Sequence, residues 1–412
     1  MTVAELPRTR FENVNIYSPT HKADPFPLYT RLRAERPVFR VSMPDGQTAW
    51  LVTRYDDVVS VLKDERIAKD RFRALSSQQL KKQPWVPGIV RPLFNNMLDS
   101  DPPRHTRLRA LVQNAFTPRR VEAMHDRIQT LADGLLDSIG DRRRFDLVRD
   151  YALPLPTTVI AEILGVPVKD RHKFQRWSKA VVSMNWSSWH TLKGLPDVWR
   201  FLRYVRRLVN LRRTAPTDDM ITDLVQAKEE GDQLSDDELV AMIFLLLIAG
   251  HETTVNLITN GTMSLLRHPG QLWKLRDNPT LIEPALEELL RYAGPLDTAT
   301  ERFTREDVTI AGVTIPSGSL VFAVLSSANR DETQFADPDE LDITRTPNRH
   351  LSFGLGIHFC LGAPLARAEG QIAINTLLRR TNNLQLAVPV GDLKWRGGQL
   401  FRGVKSLPLS QS

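Results

Sequence analysis

The single cysteine of this 412-residue chain, Cys360, lies in a glycine-rich stretch that reads SFGLGIHFCLGAPLAR. Gly354, Gly356 and Gly362 lack a Cβ atom, so the backbone around the thiol can turn sharply and approach a flat group closely. Pro364 and a helical run follow the cysteine, which places the sulfur near the expected N-terminus of a helix. The helix dipole and free N–H groups favour a thiolate there, and a thiolate is a good metal ligand.

Two roles for Cys360 remain open on these residues alone. A lone thiol is most often a small buried side chain without chemistry. Among metal sites, a zinc finger needs further cysteines, and His358 two residues away does not match its spacing. An iron–sulfur cluster takes about four thiolates, whereas haem iron takes only one. The alternatives are therefore a buried thiol and a haem ligand.

The stretch LLLIAGHETTVN combines small residues, an acid and a hydroxyl in an apolar helical context. Ala249 and Gly250 lie four and three residues before Thr253, so the three share one helix face and leave room for a bound group. Thr253 can donate a hydrogen bond to the Ala249 carbonyl and open the helix locally, which makes space for water or dioxygen. Glu252 beside it makes the pair either a proton-delivery pair or a locally satisfied polar patch.

Two further pairs of charged residues stand at helical spacing. His105 and Arg109, at i and i+4, repel each other slightly unless an anion lies between them, such as the carboxylates of a cofactor. The alternative for this pair is a solvated basic helix face. Glu288 and Arg291, at i and i+3 among leucines, are interpreted as a partly buried structural ion pair.

The helix that carries Glu252 and Thr253 is marked at both ends. Ser235 followed by Glu238 forms a capping-box signature, and nothing interrupts the helical pattern before Pro269. These limits allow a helix of roughly 32 residues, about 48 Å long. A helix of this length that is apolar in its middle is expected to run through the core.

The rest of the chain is mainly helical in its middle, with short strands on either side. Asp45-Gly46 between two extended apolar stretches indicates a hairpin. The stretch DVTIAGVTIPSGSLVFAV indicates strands joined by Gly and Pro turns, and a last strand region follows residue 384. We therefore predict a mostly α fold with a small β part, in the α+β class, as one domain over residues 1–412.

Composition restricts the class of function. Hydrophobic residues make up 42% and charged residues 25% of the chain, as in soluble globular proteins. The net charge of +7 comes from scattered basic residues interleaved with 48 acidic ones, which disfavours nucleic-acid binding. The start lacks a signal-peptide pattern, and the longest apolar run is about half of the ~20 residues that span a bilayer. A cytoplasmic protein without membrane attachment is expected.

In this order and at these separations, the features above resemble the cytochrome P-450 family of haem-thiolate monooxygenases over nearly the whole chain. FGLGIHFCLG resembles the family's haem-binding loop, AGHETT its oxygen-binding helix, and EELLR its Glu-x-x-Arg pair. Length, the start of the chain and the sequence HETTVNLI resemble bacterial members that act on polyketides, steroids and other natural products. The resemblance implies the cytochrome P-450 fold, with haem b between the long central helix and the helix that follows the cysteine loop.

The resemblance also implies roles for individual residues. Cys360 would be the axial ligand of the haem iron, and Glu252 and Thr253 would pass protons to dioxygen. The haem propionates would be held by four basic residues: His105, Arg109, Arg302 and His358. The positions that would line the substrate pocket are Leu245, Ile248, Ala249, Thr298 and Phe401. The substrate would be a hydrophobic small molecule that receives one oxygen atom of O2.

Electrons would come from outside the chain. A single cysteine cannot hold an iron–sulfur cluster, and no Gly-x-Gly-x-x-Gly motif follows a strand. A ferredoxin or flavodoxin with its NAD(P)H reductase is implied, and it would dock on a monomer at basic residues such as Arg104, Arg107 and Arg367. A haem-based sensor and a haem-thiolate enzyme that uses peroxide are the competing functions.

A lid over the substrate is expected from two irregular stretches, KKQPWVPGIVRPLFNNM and VVSMNWSSWHTLKGLPDVW. Both are rich in aromatic and apolar side chains, which can face the substrate or pack the lid itself. The candidates are Trp85, Phe94, Met184 and Trp186.

Overall fold

The computed structural model describes residues 15–412 except residues 45, 81–87, 89–90, 172, 174–176, 178–189 and 230–231. Helices dominate this part of the chain. In chain order they are α1 (Pro19–Ala23), α2 (Phe26–Glu35), α3 (Tyr55–Lys63), α4 (Arg71–Ala74), α5 (Ser77–Leu80), α6 (Arg104–Ala115), α7 (Pro118–Ala123), α8 (His125–Ile139), α9 (Pro154–Ile163), α10 (His190–Thr214), α11 (Met220–Gln226), α12 (Asp236–Arg267), α13 (Pro269–Asp277), α14 (Ile282–Ala293), α15 (Leu325–Ala328) and α16 (Ala363–Arg380). Short 3-10 segments are Arg91–Phe94, Val168–Asp170, Pro279–Leu281, Gly356–His358 and Val390–Asp392, and a π-helical turn is Val148–Ala152.

The strands of the described residues form small sheets. They are β1 (Val38–Ser42), β2 (Thr48–Val52), β3 (Ile67–Ala68), β4 (Arg144–Asp146), β5 (Lys228–Glu229), β6 (Asp232–Gln233), β7 (Arg302–Thr304), β8 (Val308–Ile310), β9 (Val313–Ile315), β10 (Leu320–Ala323), β11 (Gln385–Leu386) and β12 (Pro408–Ser410). The largest sheet has the order β1-β2-β10-β7-β3, and the next has the order β11-β12-β4. The hairpin expected around Gly46 is confirmed, because β1 and β2 pair antiparallel with Val38 opposite Val52.

The expected central helix is confirmed as α12, with 32 residues. Both halves of its capping box form. The Glu238 N–H donates to the Ser235 hydroxyl at 3.3 Å, and the Ser235 N–H donates to Glu238 Oε2 at 3.0 Å. Within the described residues, α12 is the one helix long and apolar enough to cross a bilayer, but most of it is buried in the protein.

The core is organised around α12. This helix packs against α9, α14 and α16, and their apolar side chains form one large cluster. Two smaller clusters lie where α2 and α3 cover the five-stranded sheet. The α+β class predicted from the sequence is confirmed, and α12 and α16 are packed neighbours that can position the cysteine loop.

Candidate active site

The loop before Cys360 is a tight turn held by backbone contacts. Gly354 and Gly356 adopt positive φ angles of 68° and 71°, which side chains with a Cβ rarely allow. The Cys360 N–H closes the turn by donating to the Phe353 carbonyl at 2.9 Å. A Cβ on Gly356 would lie 3.2 Å from the Leu62 carbonyl of α3, so the loop is also pressed against that helix. The glycines therefore fix the position of the thiol.

Cys360 lies three residues before α16, as expected for a sulfur at a helix N-terminus. Burial raises the pKa of the Cys360 thiol, and this effect outweighs the N–H groups of Gly362 and Ala363, which lower the pKa. The positive charges of Arg109 and Arg367 also lower the pKa without reversing the shift. The helix end alone therefore does not produce the thiolate predicted from the sequence. A metal ion would, because it deprotonates a coordinating thiol.

Basic side chains from several elements meet beside the cysteine loop. His105 near the start of α6 lies against His358, with their ring centroids 4.3 Å apart. Arg109 follows one helical turn after His105, Arg302 opens β7, and the buried Lys69 directly follows β3. All of them act electrostatically on His358. This basic cluster of five residues contains the four proposed propionate partners and adds Lys69, which the sequence did not indicate.

The basic cluster is short of acceptors. Both ring nitrogens of His105, the Nε of Arg302 and the Nε2 of His358 are buried without a hydrogen-bond partner among the described residues. Burial, together with the charges of the other members, lowers the pKa of His358 to about 2. Burial also lowers the pKa of Arg302 to about 10 and that of Lys69 to about 8. Buried donors without acceptors, beside the positive charges of Arg109 and Arg302, call for an anion among them.

The neighbouring acid does not fill this role. Asp101 attracts His105 and Arg302 electrostatically, but its carboxylate accepts hydrogen bonds from the Lys69 N–H at 2.9 Å and from Arg305 at 2.9 Å. Two further carboxylates would satisfy the free nitrogens, and a haem carries two. The residues present therefore fit a haem whose iron Cys360 would hold and whose propionates the basic cluster would bind.

One face of α12 stays accessible although most of this helix is buried. Leu245, Ile248, Ala249 and Thr253 keep accessible surface, and their spacing of three and four residues places them on that face. The Thr253 hydroxyl donates to the Ala249 carbonyl at 2.8 Å, as predicted, while the helix remains continuous there. The face presents small and apolar groups beside one hydroxyl, which is the composition of a substrate-binding wall.

Glu252 is turned away from this accessible face. Its carboxylate accepts a hydrogen bond from Arg396 at 2.6 Å and lies 3.9 Å from the His251 ring. Arg396 belongs to the C-terminal part of the chain, near the bridge between Trp395 and Val404. This partner was not evident from local spacing, because 144 positions separate the two residues. Glu252 and Thr253 thus stand side by side in the chain but have separate partners.

The two remaining pocket candidates differ in their exposure. Phe401 is half-buried and forms a backbone bridge with Leu296, just after α14. Thr298 has no accessible surface, and its hydroxyl is buried without a hydrogen-bond partner among the described residues. Ala299, its neighbour, is partly accessible. Phe401 is thus partly accessible, whereas Thr298 is not, and their contact with a substrate stays a prediction.

Glu288 and Arg291 are more deeply buried than the sequence indicated. Both side chains are fully buried on α14, and two hydrogen bonds of 2.7 and 2.8 Å join them. The remaining guanidinium donors bond the carbonyls of Asn329, Pro338 and Glu340. This pair ties α14 to the segment that precedes the cysteine loop, and its structural role is as expected.

The basic residues expected to receive an electron carrier already have acidic partners. Arg107 and Arg104 both pair with Glu238, the latter at 3.7 Å. Arg367 forms two hydrogen bonds to Glu287, at 2.7 and 2.8 Å. Each of these arginines therefore has an acidic partner within the chain, although about a third of each side chain stays exposed. Docking of an electron carrier at these residues stays a prediction.

The lid candidates are only partly within the structure. Phe94 lies in the described residues, where the guanidinium of Arg71 stands 4.8 Å from the centre of its ring. Trp85, Met184 and Trp186 lie outside the described residues.

One buried acid near the site was missed at the sequence level. Glu369 on α16 is buried, and burial raises the pKa of its carboxyl to about 8. Leu365 and Ala373, four residues before and after it, lie on the same buried face of the helix. That spacing was the available signal, because an acid at the centre of an apolar helix face is expected to be neutral.

Comparisons with known proteins agree with this geometry. A family model described as Cytochrome P450 matches residues 203–385. Cytochrome P450 107B1 of Saccharopolyspora erythraea is 46% identical over 383 residues, which cover 92% of this chain and 93% of that protein. The solved structure of the Bacillus subtilis 168 bacillaene polyketide synthase cytochrome P450 PksS is 41% identical, with a TM-score of 0.91, and the match covers 97% of this chain and 100% of that chain.

A further solved structure carries a ligand. The myxobacterial cytochrome P450 CYP267B1, solved in complex with myristic acid, is 45% identical, with a TM-score of 0.90. The match covers 96% of this chain and 98% of that chain. These likenesses span nearly the whole chain, and the fold that the sequence predicted is confirmed.

Proposed function

The chain belongs to the cytochrome P450 family, and we propose that it is a monooxygenase that inserts one oxygen atom of O2 into a hydrophobic natural product. Its cofactor is the haem b of that family. The observation that carries the proposal is the basic cluster beside Cys360, whose buried nitrogens lack acceptors among the described residues. A protein that used Cys360 only as a buried thiol would have no need for these buried nitrogens without acceptors.

The residues around the cofactor are assigned to ligation and anchoring. When bound, the haem supplies the activation of dioxygen and the transfer of one oxygen atom. Cys360 would hold the iron through its thiolate. His105, Arg109, Arg302 and His358 bind the propionates by charge-assisted hydrogen bonds.

Proton control is assigned to Thr253 and Glu252. The Thr253 hydroxyl lies on the accessible face of α12, where it would hold and donate a proton. Glu252 is held by Arg396, so its carboxylate is kept away from Thr253. A proton from solvent would pass through Glu252 when its carboxylate leaves Arg396. Arg396 would then set how often that exchange occurs.

The substrate is proposed to be a polyketide, a steroid or a related natural product. Leu245, Ile248 and Ala249 present an apolar wall on α12. Phe401, near the C-terminus, would add an aromatic ring to the pocket, and the buried Thr298 would lie beneath its surface. One similar structure belongs to a polyketide synthase system and another holds myristic acid. An apolar wall with few polar groups suits such molecules, because it selects by shape and area rather than by hydrogen bonding.

The molecular setting follows from the family. Bacterial cytochromes P450 typically take their electrons from a ferredoxin and its reductase and bind hydrophobic substrates. We propose the same for this chain, with a ferredoxin or flavodoxin and an NAD(P)H reductase as the carriers. We further propose a single domain over residues 1–412 that acts as a cytoplasmic monomer, without binding to nucleic acid or membrane.

The absorption spectrum of the reduced protein under carbon monoxide tests the proposed function. The wild-type protein is expected to show the strongly red-shifted Soret band of a haem iron with a thiolate ligand. Cys360→Ser is expected to abolish that band, because the hydroxyl does not supply a thiolate. An unchanged band in Cys360→Ser would reject the assigned ligand.

Arg302→Met is the matched variant for the basic cluster. It removes a propionate partner but leaves the sulfur, so we expect less retained haem with the Soret band at the wild-type position. Normal haem retention in Arg302→Met would contradict the role of this residue, whereas a wild-type protein that cannot take up haem would contradict the proposed function.

A further inference from the structure

An ion pair outside the haem site lies fully buried between the two ends of the chain. Lys22 near the end of α1 donates to Oδ2 of Asp297, which follows α14, and neither side chain is accessible to solvent. The two residues are 275 positions apart. Burying two charges has a large desolvation cost, so the pair is expected to add little to the free energy of unfolding. A role in fixing how the two chain segments pack together explains it better.

Asp297 is the centre of a larger hydrogen-bond network. Besides Lys22, its carboxylate accepts hydrogen bonds from the Tyr29 hydroxyl at 3.0 Å and from the Ser326 hydroxyl. Its N–H donates to the Leu400 carbonyl at 2.8 Å. Burial acts to raise the pKa of Asp297, but Lys22 and Ser326 lower it further than burial raises it. The carboxylate is therefore charged and held from several directions.

The same network holds the segment formed by residues 398–402, which we call the C-terminal loop. The Lys22 ammonium also donates to the Gln399 carbonyl at 3.0 Å, and Gly398 N–H donates to the Tyr17 carbonyl at 3.0 Å. Arg402 bonds the Lys22 carbonyl through its side chain at 3.0 Å. Residues 17–22 thus bond the C-terminal loop at three points, and Lys22 takes part in two of them.

The C-terminal loop carries Phe401, and Asp297 starts the segment that leads to Ala299. Phe401 forms its backbone bridge with Leu296, directly before Asp297. The Asp297 N–H also bonds the Leu400 carbonyl, so the ion pair is tied directly to the residue before Phe401. A change in the separation of Lys22 and Asp297 would therefore shift the backbone that carries Phe401.

We propose that Lys22 and Asp297 are positioning residues that set the shape of the substrate pocket by holding the C-terminal loop against residues 296–299. Neither residue touches the substrate in this arrangement. The proposal rests on the proposed function, because it assumes that Phe401 faces the ligand. It assigns a role in pocket geometry to the N-terminal helix α1.

Two single variants and one matched control test the proposal in the full-length haem protein. Lys22→Met and Asp297→Asn each remove one charge and keep most of the side-chain volume. Arg212→Met is the control, because Arg212 and Asp219 form another largely buried ion pair, between α10 and the start of α11. The measurements are thermal unfolding, amide hydrogen exchange in residues 296–302 and 398–402, and the spectral titration of 4-phenylimidazole and of myristic acid.

We expect Lys22→Met and Asp297→Asn to weaken binding of 4-phenylimidazole by about tenfold or more, which corresponds to about 1.4 kcal/mol. Exchange should speed up in both segments, and the thiolate band under carbon monoxide should remain. Arg212→Met should lower the unfolding temperature but leave both titrations and the exchange of these segments at wild-type values.

Wild-type affinities for both probes in Lys22→Met and Asp297→Asn would overturn the proposal, even if the unfolding temperature fell. Equal losses of affinity in Arg212→Met would also overturn it, because the effect would then follow stability alone. A wild-type protein without the thiolate band would instead reject the proposed function. 4-Phenylimidazole reports on any accessible haem iron, so the result does not depend on knowing the natural substrate.

Discussion

Thr253 is placed by its own helix, whereas Glu252 is placed by the far end of the chain. The Thr253 hydroxyl bonds the carbonyl four residues earlier, a contact that any regular helix offers. The Glu252 carboxylate bonds Arg396, a contact that exists only when the C-terminal part of the chain packs beside α12. At the scale of single residues, the proposed proton pathway therefore depends on one local and one long-range contact.

Thr253→Ala tests the role of the hydroxyl. We expect product formation per electron consumed to fall by roughly 10²-fold, with hydrogen peroxide rising instead, because a positioned proton donor contributes about that much. Thr259→Ala is the control, since its hydroxyl makes the same type of bond, to the Val255 carbonyl at 2.7 Å, on the buried face of α12. Electron use coupled to product at the wild-type ratio in Thr253→Ala would refute the proton-donor role.

Glu369→Gln tests whether the buried carboxyl of Glu369 is protonated in the folded protein. The pKa of Glu369 is raised to about 8 from a usual value of 4.5, so the folded state binds a proton that the unfolded state releases between these pH values. Wild-type stability is therefore expected to fall as pH rises from 4.5 to 8.

Glu369→Gln stays neutral at every pH and should not show this fall in stability. Its unfolding temperature should therefore exceed that of the wild type by an amount that grows toward pH 8. Glu283→Gln, at an exposed position of α14, is the control. A difference between Glu369→Gln and wild type that does not change with pH would contradict the raised pKa.

At the scale of elements, the position of the cysteine loop depends on how closely α16 approaches its neighbours. Gly370 makes the approach possible, because a Cβ there would lie 2.8 Å from a methyl group of Leu286 on α14 and 3.1 Å from one of Leu257 on α12. A Cβ on Gly261 of α12 would likewise lie 3.2 Å from a methyl group of Ile374 on α16. Small residues on facing helices thus bring α12 and α16 together.

Gly370→Ala tests this packing. We expect the free energy of unfolding to fall by about 1–3 kcal/mol, because the extra methyl group overpacks the contact between the helices. Gly134→Ala on α8 is the matched control, since its Cβ would meet nothing within 4 Å, and it should gain about 0.5–1 kcal/mol from helix propensity. Chemical denaturation measures both, and a stabilised Gly370→Ala would show that α16 can move away at no cost.

At the scale of the whole molecule, Arg291 and Glu288 join α14 to a long loop that has little regular structure of its own. Besides the carbonyls bonded by Arg291, Glu288 accepts hydrogen bonds from the Asp342 N–H at 3.0 Å and from Arg345 at 3.2 Å. This loop leads directly to the cysteine loop. The ion pair therefore connects the helical body to the segment that delivers the proposed iron ligand.

Arg291→Met tests that connection. Removing the guanidinium takes one of the two basic partners from the buried Glu288 and leaves three backbone carbonyls without their donor, so we expect a loss of about 3–5 kcal/mol in the free energy of unfolding, with poor haem incorporation. Arg380→Met is the control, because Arg380 pairs with Asp137 at 2.6 Å on the surface, where a pair contributes about 0–1 kcal/mol. Comparable losses in the two variants would contradict the structural role of the buried pair.

The sequence by itself determined what lies within a few residues along the chain. The capping box of Ser235 and Glu238, the bond from Thr253 to Ala249 and the glycine turn before Cys360 follow from local spacing and backbone conformation. Such contacts form in any helix or turn with these residues, so the pattern was enough to predict α12 and the cysteine loop.

Only the tertiary structure decided which distant residues meet and which charges are buried. It paired Glu252 with Arg396 and Lys22 with Asp297, and it brought His105 to His358. It also showed that burial outweighs the helix N-terminus at Cys360. The physical reason is that desolvation depends on every element packed around a group, whereas local spacing describes only its own helix or turn.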